Sequence, residues 1–153
     1  EILRCLVGSE MCIRDRVVMT AAETGHLVFS TLHTIGAANT IERIIDVFPP
    51  NQQRQITIQL ASVLQAVISQ QLIPSVDGTL IPVFEIMEVT PAIRNMIREN
   101  KVHQIDGLIY SSTGSGMMSM DQSLMQAYRD GKITKETAVL YALNAEMLSK
   151  RLR

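Results

Sequence analysis

Residues 20–49 read TAAETGHLVFSTLHTIGAANTIERIIDVFP, and this stretch decides the fold class. Its first six residues suit the end of a helix, with Gly25 just beyond the last turn, where a left-handed backbone favours glycine. Residues 26–34 are apolar on both faces and rich in β-branched and aromatic side chains, which predicts a buried, parallel strand. A second helix follows, with one apolar stripe formed by Ile41, Ile44, Ile45 and Phe48. A helix, a buried strand and a helix in succession predict an α/β fold.

The middle of the chain is predicted to contain two helices and a hairpin. The spacing of apolar residues predicts a long helix over residues 51–71. A hairpin that turns at Asp77-Gly78 comes next, because this pair suits a tight turn between two apolar runs. Thr90 and Pro91 then predict the N-cap and the first position of a short helix, residues 92–99.

The C-terminal part is predicted to be mostly helical. Residues 110–118, YSSTGSGMM, have the composition of a flexible loop. Ser119 and Gln122 have the spacing of a capping box at a helix start, and Gly131 suits the end of that helix. Three short helices are predicted in all, over residues 119–130, 134–143 and 144–152.

The stretch LVGSEMCIRD, residues 6–15, permits two interpretations. As protein, a short apolar run followed by Glu10 suits the acidic end of a nucleotide-binding strand. As translated nucleic acid, it matches without a mismatch the end of a transposase adapter used in preparing sequencing libraries. We favour the second interpretation, which makes residues 1–16 a leader foreign to the fold. The remainder is divided into residues 17–89 and residues 90–153.

Composition and charge argue against several classes of function. Both cysteines, Cys5 and Cys12, lie in the leader, so the remainder offers no disulfide or thiol nucleophile, and we predict no metal site. A net charge of −1 and a pI near 6.3 give no general attraction to nucleic acid or to an anionic membrane. No apolar run reaches the roughly 18 residues of a membrane span, so we expect a cytoplasmic protein without direct membrane insertion.

Two histidines, His26 and His33, are the main candidates for chemistry. An odd spacing on a strand would point them to opposite faces, too far apart to share one metal ion. His33 comes at the C-terminal end of the predicted strand, where open α/β sheets bind ligands, and His26 comes at its entrance. The alternative for each is a structural histidine. Thr31 and Thr34 could contact a phosphate or simply favour the strand.

The phosphate-binding loop of ATPases is missing from this sequence. No GxxxxGK[ST] segment occurs, and the GSG at residues 114–116 is too short to replace it. We therefore expect the chain alone to be inactive.

Helix 92–99, AIRNMIRE, is predicted to have two faces. The buried face comprises Ile93, Met96 and Ile97. The outer face is basic and comprises Arg94, Asn95 and Arg98, with the two arginines four residues apart. This outer face is either a docking surface or an ordinary solvent-exposed one.

Two segments together resemble one family. Residues 20–49 resemble the histidine-box region of the secretion ATPases that drive type II secretion and type IV pili. Residues 92–99 resemble the C-terminal signature of the PilT-type retraction branch, with Met96 where leucine is usual. After Asp46 the chain continues directly with VFPP, residues 47–50, and it lacks the tetracysteine insert of the assembly branch. Both features favour the retraction branch over the assembly branch. The resemblance extends from about Val17 to Gly131.

The resemblance implies the C-terminal half of a RecA-like P-loop NTPase core, followed by a mostly helical C-terminal region. It implies a homo-hexameric ATPase that powers type IV pilus retraction with ATP and Mg²⁺, at the cytoplasmic face of the inner membrane beside the pilus machinery. The phosphate loop would lie upstream of Val17.

The same resemblance assigns roles to residues. His26 and His33 correspond to the histidine box, which senses the γ-phosphate, and Arg94, Asn95 and Arg98 correspond to an output surface. Glu10 is not assigned, because the family's Walker B run, Leu-Val-Gly-Glu-Met-Arg-Asp, has no serine before its glutamate and no Cys-Ile after its methionine. Three alternatives stay open: the accessory retraction ATPase PilU, a pilus assembly or type II secretion ATPase, and a non-enzymatic adaptor that docks through helix 92–99.

Overall fold

A computed structural model describes residues 11–112 and 116–152, with side chains described from Arg16 onward. The interpretation of Glu10 and most of the leader therefore lies outside the described residues, as does the GSG segment except for Gly116. The elements in chain order are α1 (Met11–Glu23), α2 (Ala37–Asp46), α3 (Pro50–Val63), β1 (Ala66–Pro74), β2 (Leu80–Glu88), α4 (Pro91–Arg98), a 3-10 helix (Val102–Gln104), α5 (Ile105–Ser111), α6 (Met120–Arg129), α7 (Lys135–Leu140) and α8 (Ala145–Arg151).

The chain forms two compact units that are interleaved along the sequence. The first contains the described residues up to Thr34 together with Ala38–Gln65 and Val89–Ile105. The second contains Ile35–Ala37, Ala66–Glu88 and the described residues from Asp106 onward. The sequence suggested a division between residues 89 and 90. The two units are divided differently, because the hairpin belongs to the same unit as the C-terminal helices and α4 belongs to the first unit.

The sequence correctly predicted where α1 ends and that the following helix has an apolar face. Gly25 has a φ of 88°, its N–H donates to Ala22 O, and the N–H of His26 donates to Ala21 O, which is the pattern of a glycine-terminated helix. The predicted apolar stripe is also confirmed, since Ile41 and Ile45 on α2 and Phe48 just after its end are buried.

The predicted strand over residues 26–34 is wrong for this structure. Those residues have no strand conformation, and Leu27 and Phe29 are 74% and 63% exposed. A strand that is apolar on both faces requires neighbouring strands and covering helices. Within residues 11–112 and 116–152, the strand pairs are β1 with β2 and a single bridge between Ile86 and Met118, so residues 26–34 have no strand to pair with.

The predicted helix over residues 51–71 is also wrong in its second half. Helix α3 ends at Val63, Leu64 has extended backbone, and β1 begins at Ala66. Strand pairing decides the outcome, because β1 forms an antiparallel ladder with β2 in which Ala66 faces Glu88 and Pro74 faces Leu80. The predicted turn at Asp77-Gly78 is confirmed, and Gly78 has a φ of 76° that favours glycine.

The second unit has an apolar core between the hairpin and the C-terminal helices. Ile73 and Val83 supply the hairpin's part of it, and the helices and their connections supply Met120, Leu124, Ala127, Ile133, Ala138, Leu148 and Leu152. The predicted capping box is confirmed, since Ser119 Oγ accepts from Gln122 N while Ser119 N donates to Gln122 Oε1. Among the described residues, no helix is long and apolar enough to cross a membrane.

Candidate functional site

His26 lies directly after α1 and contacts the end of that helix. Its Nδ1 is 3.0 Å from Thr24 Oγ1 and 3.2 Å from Ala21 O. Because a carbonyl oxygen only accepts, the contact with Ala21 favours the tautomer with the proton on Nδ1 and leaves Nε2 as an acceptor. The His26 side chain belongs to an exposed residue.

His33 lies in the irregular segment between α1 and α2 and is exposed. The sequence placed it at the tip of a buried strand, and the structure places it three residues before Gly36 in a segment without strand pairing. Thr34 lies beside it, with Oγ1 2.8 Å from Thr40 Oγ1 in the first turn of α2. Thr34 therefore contacts the helix rather than serving as a strand residue.

Two buried side chains hold the beginning of α2. Ser69 Oγ accepts a hydrogen bond of 2.9 Å from Gly36 N, and Glu85 Oε1 accepts one of 2.7 Å from Ala37 N. Ser69 and Glu85 are direct partners across the antiparallel ladder. Their side chains therefore project from one face of the hairpin and hold two consecutive backbone N–H groups.

Glu85 is the most deeply buried charged residue of the described chain, with 1% of its surface exposed. Burial raises the pKa of its carboxyl above the ordinary value of 4.5, and the negative charges of Asp106 and Asp121 raise it further. Hydrogen bonds from the backbone N–H groups of Ala37 and Met120 act in the opposite direction by stabilising the ionised form.

Sequence reasoning missed Ser69 and Glu85, although one signal was present. Alternation along β2 puts Glu85 on the same face as Val83 and Met87, which are both buried. A glutamate between two inward-facing apolar residues indicates a buried carboxylate that requires hydrogen-bond donors. Ser69 gave no such signal, because it falls within the helix predicted over residues 51–71.

Helix α4 begins as predicted and contacts α3 through an arginine. Thr90 Oγ1 accepts from Ile93 N at 3.4 Å. Arg94 Nη1 donates to Ala61 O and Ser62 O, both at 2.8 Å, and its Nη2 lies 3.5 Å from Gln65 Oε1. The guanidinium therefore binds carbonyls at the C-terminal end of α3, where such groups lack partners within the helix.

The predicted basic outer face is corrected at one position. Arg94 is half-buried against α3, whereas Asn95 and Arg98 are exposed. The arginine side chain is long enough to reach the last carbonyls of α3 from a position beside the buried face. Ile93 and Ile97 are fully buried as expected, and Met96 is half-buried.

An open groove of about 720 Å³ lies between α1 and the start of α3. Arg16, Thr20 and Thr24 line one side, and Pro49 and Gln52 line the other. Arg16 donates a hydrogen bond to Gln52 Oε1, so the last residue of the presumed leader has a tertiary contact. Among the described residues, no group of three or more His, Cys, Asp or Glu side chains could hold a metal ion.

The sequence matches a profile described as "Type II/IV secretion system protein" over residues 13–80. It is 48% identical over 134 residues to a twitching motility protein of Neisseria gonorrhoeae, which covers 87% of this chain and 36% of that protein. It is 47% identical over 123 residues to the type IV pilus retraction ATPase PilT of Pseudomonas aeruginosa, covering 80% and 36%. Identity to the type IV pilus ATPase PilU of that organism is 41% over 128 residues, covering 83% and 34%.

The structure is similar to a crystal structure of the pilus retraction motor PilT with bound ADP. The TM-score is 0.82 at 39% sequence identity, and the match covers 97% of this chain and 41% of the other. Over most of its length, this chain is therefore similar to members of the type II/IV secretion system protein family.

This similarity confirms the predicted fold class, the C-terminal part of a RecA-like P-loop NTPase core followed by a mostly helical region. The chain spans about a third of the length of the curated relatives it matches, with 36% covered in the first two. The family profile begins at Ile13, inside the segment interpreted as a leader.

Proposed function

We propose that this chain is part of a hexameric ATPase that powers type IV pilus retraction by hydrolysing ATP. The observation that carries the proposal is the similarity, over most of the chain, to a protein named as a pilus retraction ATPase. The similar motor structure with ADP supports nucleotide binding in the intact protein. We place the assembled enzyme at the cytoplasmic face of the inner membrane, in contact with the pilus machinery.

The residues of this chain do not make a complete nucleotide site. The sequence lacks a GxxxxGK[ST] loop, and the described residues hold no cluster of metal-ligating side chains. ATP and Mg²⁺ in the intact enzyme would therefore depend on residues outside this chain. What this chain offers is two exposed imidazoles, His26 and His33, which flank one irregular segment.

His33 is the residue we assign to γ-phosphate sensing, with His26 as its companion. An exposed imidazole can donate a hydrogen bond to a phosphate oxygen as negative charge develops there. Such a contact acts more on the transition state than on the bound substrate, so its loss lowers kcat more than it lowers nucleotide affinity. The Nδ1 contact with Ala21 O orients the His26 ring, whose Nε2 is an acceptor in that tautomer, so the donor to the phosphate is His33.

The test uses the full-length protein that contains this chain. His33→Ala is expected to lower the kcat of ATP hydrolysis by about 100-fold or more while changing ATP affinity by less than about threefold. The matched control is His103→Ala, because His103 is also exposed but lies in the 3-10 helix after α4. Equal turnover in the His33 variant and the wild type would contradict the assignment.

Three alternative functions keep specific support. Similarity to PilU favours an accessory retraction ATPase, and the match to the family profile allows an assembly or type II secretion ATPase. The exposed Asn95 and Arg98 on α4 favour a docking surface, which an adaptor without ATPase activity would also need. An in-frame GxxxxGK[ST] sequence upstream of this chain distinguishes the ATPases from the adaptor. Retraction assays in cells lacking each ATPase separate the three motors.

A further inference from the structure

Ser69 and Glu85 form a buried polar pair in the middle of the hairpin. They are 5% and 1% exposed, and they face each other directly across the β1–β2 ladder. The adjacent inward-facing residues include Ile73, Val83 and Met87, all of which are buried and apolar. The pair therefore replaces two apolar side chains at positions where an ordinary hairpin would continue its core.

A buried carboxylate is unfavourable unless hydrogen bonds replace the water that it loses. Glu85 obtains them from backbone N–H groups: Ala37 N donates to Oε1 at 2.7 Å, and Met120 N lies 3.4 Å from Oε2. These donors belong to the first residues of α2 and α6. The charge of Glu85 is thus directed at the N-terminal ends of two helices, where negative charge is favourable.

The bond to Ala37 is the shorter of the two and has the length of a charge-assisted hydrogen bond. Ser69 adds a bond of 2.9 Å to the preceding amide, Gly36. The backbone N–H groups of Gly36 and Ala37 are both held in this way. Two consecutive hydrogen bonds fix both the position and the direction of the backbone at these residues. His33 is only three residues upstream, and the intervening residues span at most about 10 Å when extended.

We propose that Ser69 and Glu85 are positioning residues for the histidine box, holding the segment that carries His33 by its C-terminal end. The inference rests on the proposed ATPase function. Neither side chain is expected to touch the nucleotide. Their contribution is to hold the backbone from which the imidazole projects, because a displacement of about 1 Å in a catalytic arrangement can lower a rate by about 100-fold.

The test compares Glu85→Met and Glu85→Gln in the full-length protein. Methionine keeps the unbranched shape but removes both acceptors, so kcat for ATP hydrolysis should fall at least about tenfold while KM for ATP stays within about twofold. Glutamine keeps one carbonyl oxygen for Ala37 N and should recover most of the lost kcat. Glu88→Met is the matched control, because Glu88 is an exposed glutamate on the same strand.

Ser69→Ala provides a second, milder variant, because it removes one hydroxyl and the bond to Gly36. Hydrogen exchange of the full-length protein is measured in parallel on peptides that span residues 35–41. Exchange in these peptides should accelerate in Ser69→Ala and in Glu85→Met, and should match the wild type in Glu88→Met. If Glu85→Met does not fold, Ser69→Ala decides the test by the same criteria.

The outcomes separate this inference from the proposed function. A kcat loss without a KM change, together with faster exchange at residues 35–41, supports the inference. A kcat within about twofold of the wild type in both variants overturns it while leaving the ATPase function intact. Absence of ATP hydrolysis in the wild type overturns the proposed function and, with it, the positioning role.

Discussion

The segment 26–34 and the hairpin β1–β2 are both rich in strand-forming residues, yet only the hairpin forms strands. In the segment, Leu27 and Phe29 are 74% and 63% exposed. In the hairpin, Ile73 and Val83 are 0% and 2% exposed and pack against the C-terminal helices. The composition of the two regions is similar, so composition does not explain the difference.

What distinguishes the two regions is a strand partner. Strands β1 and β2 pair with each other through backbone hydrogen bonds, and helix α6 packs against β2. The segment 26–34 has no strand partner within the part of the chain that the structure describes. Strand preference therefore describes how well a side chain fits a pleated, half-covered surface, and it does not create that surface.

The largest expected effect contrasts one buried with one exposed apolar residue from these regions. Ile73→Ala should lower the free energy of unfolding by about 2–5 kcal/mol, because it leaves a cavity in the core of the second unit. Leu27→Ala should change it by less than about 0.5 kcal/mol, because Leu27 is mostly exposed. Denaturant unfolding of both variants measures the two values. Equal losses would show that the segment 26–34 is packed in solution.

The next largest effect contrasts a half-buried arginine with an exposed one on helix α4. Arg94→Ala should lower the free energy of unfolding by about 1–3 kcal/mol, since it removes the donor to Ala61 O and Ser62 O. Arg98→Ala should change it by less than about 0.5 kcal/mol, because Arg98 is exposed. Thermal or denaturant unfolding distinguishes the two. A silent Arg94→Ala would mean that the α3 carbonyls are hydrated without cost.

The same helix tests the proposed output surface. Replacing Asn95 and Arg98 together by alanine should abolish pilus retraction in cells while ATP hydrolysis by the full-length enzyme changes less than about threefold, because surface charges act on docking rather than on folding. Arg94 is left unchanged in this variant, since its loss would disturb α3. Normal retraction would show that these two exposed residues do not bind a partner.

The sequence predicted the parts of the structure that depend on a few adjacent residues. Gly25, Thr90 and Ser119 end or begin helices through contacts within five residues, so the pattern alone identifies them. The change from helix to strand after Val63 could not be predicted in this way. It depends on a partner strand that begins at Leu80.

The sequence predicted only some of the residues of the candidate site. The resemblance selected His26 and His33, and the structure shows that both are exposed. The contacts of Ser69 with Gly36 and of Arg94 with Ala61 join residues 33 positions apart. No periodicity within one element contains that information, because it depends on how elements pack.

A smaller effect should appear in the pH dependence of stability. Burial raises the pKa of Glu85 in the folded state, so between 4.5 and that raised pKa the folded chain binds its proton more tightly than the unfolded chain. The contribution of Glu85 to the free energy of unfolding should therefore fall as pH rises through this window. Unfolding midpoints at a series of pH values measure the slope.

Glu85→Gln should remove this contribution to the slope, because glutamine does not titrate. Glu88→Gln is the control and should leave the slope as in the wild type, since Glu88 is exposed. An identical slope in the wild type and in Glu85→Gln would contradict the raised pKa.

The smallest effect concerns the contact between Arg16 and Gln52. Both residues lie at the open groove between α1 and α3, and the hydrogen bond between them is exposed. Arg16→Ala should therefore change the free energy of unfolding by less than about 0.5 kcal/mol. A loss above about 1 kcal/mol would show that residues near the end of the presumed leader support the fold.

The exposed part of the segment 26–34 also bears on how this chain behaves when it is produced alone. Residues 27–32, LVFSTL, contain no charge and no proline, and their backbone has no strand partner among the described residues. Uncharged, proline-free windows of strand-forming residues pair readily with copies of themselves and start aggregation. A charged residue at the exposed Ser30, as in Ser30→Lys, would act as a gatekeeper and extend the concentration range in which the isolated chain stays dispersed.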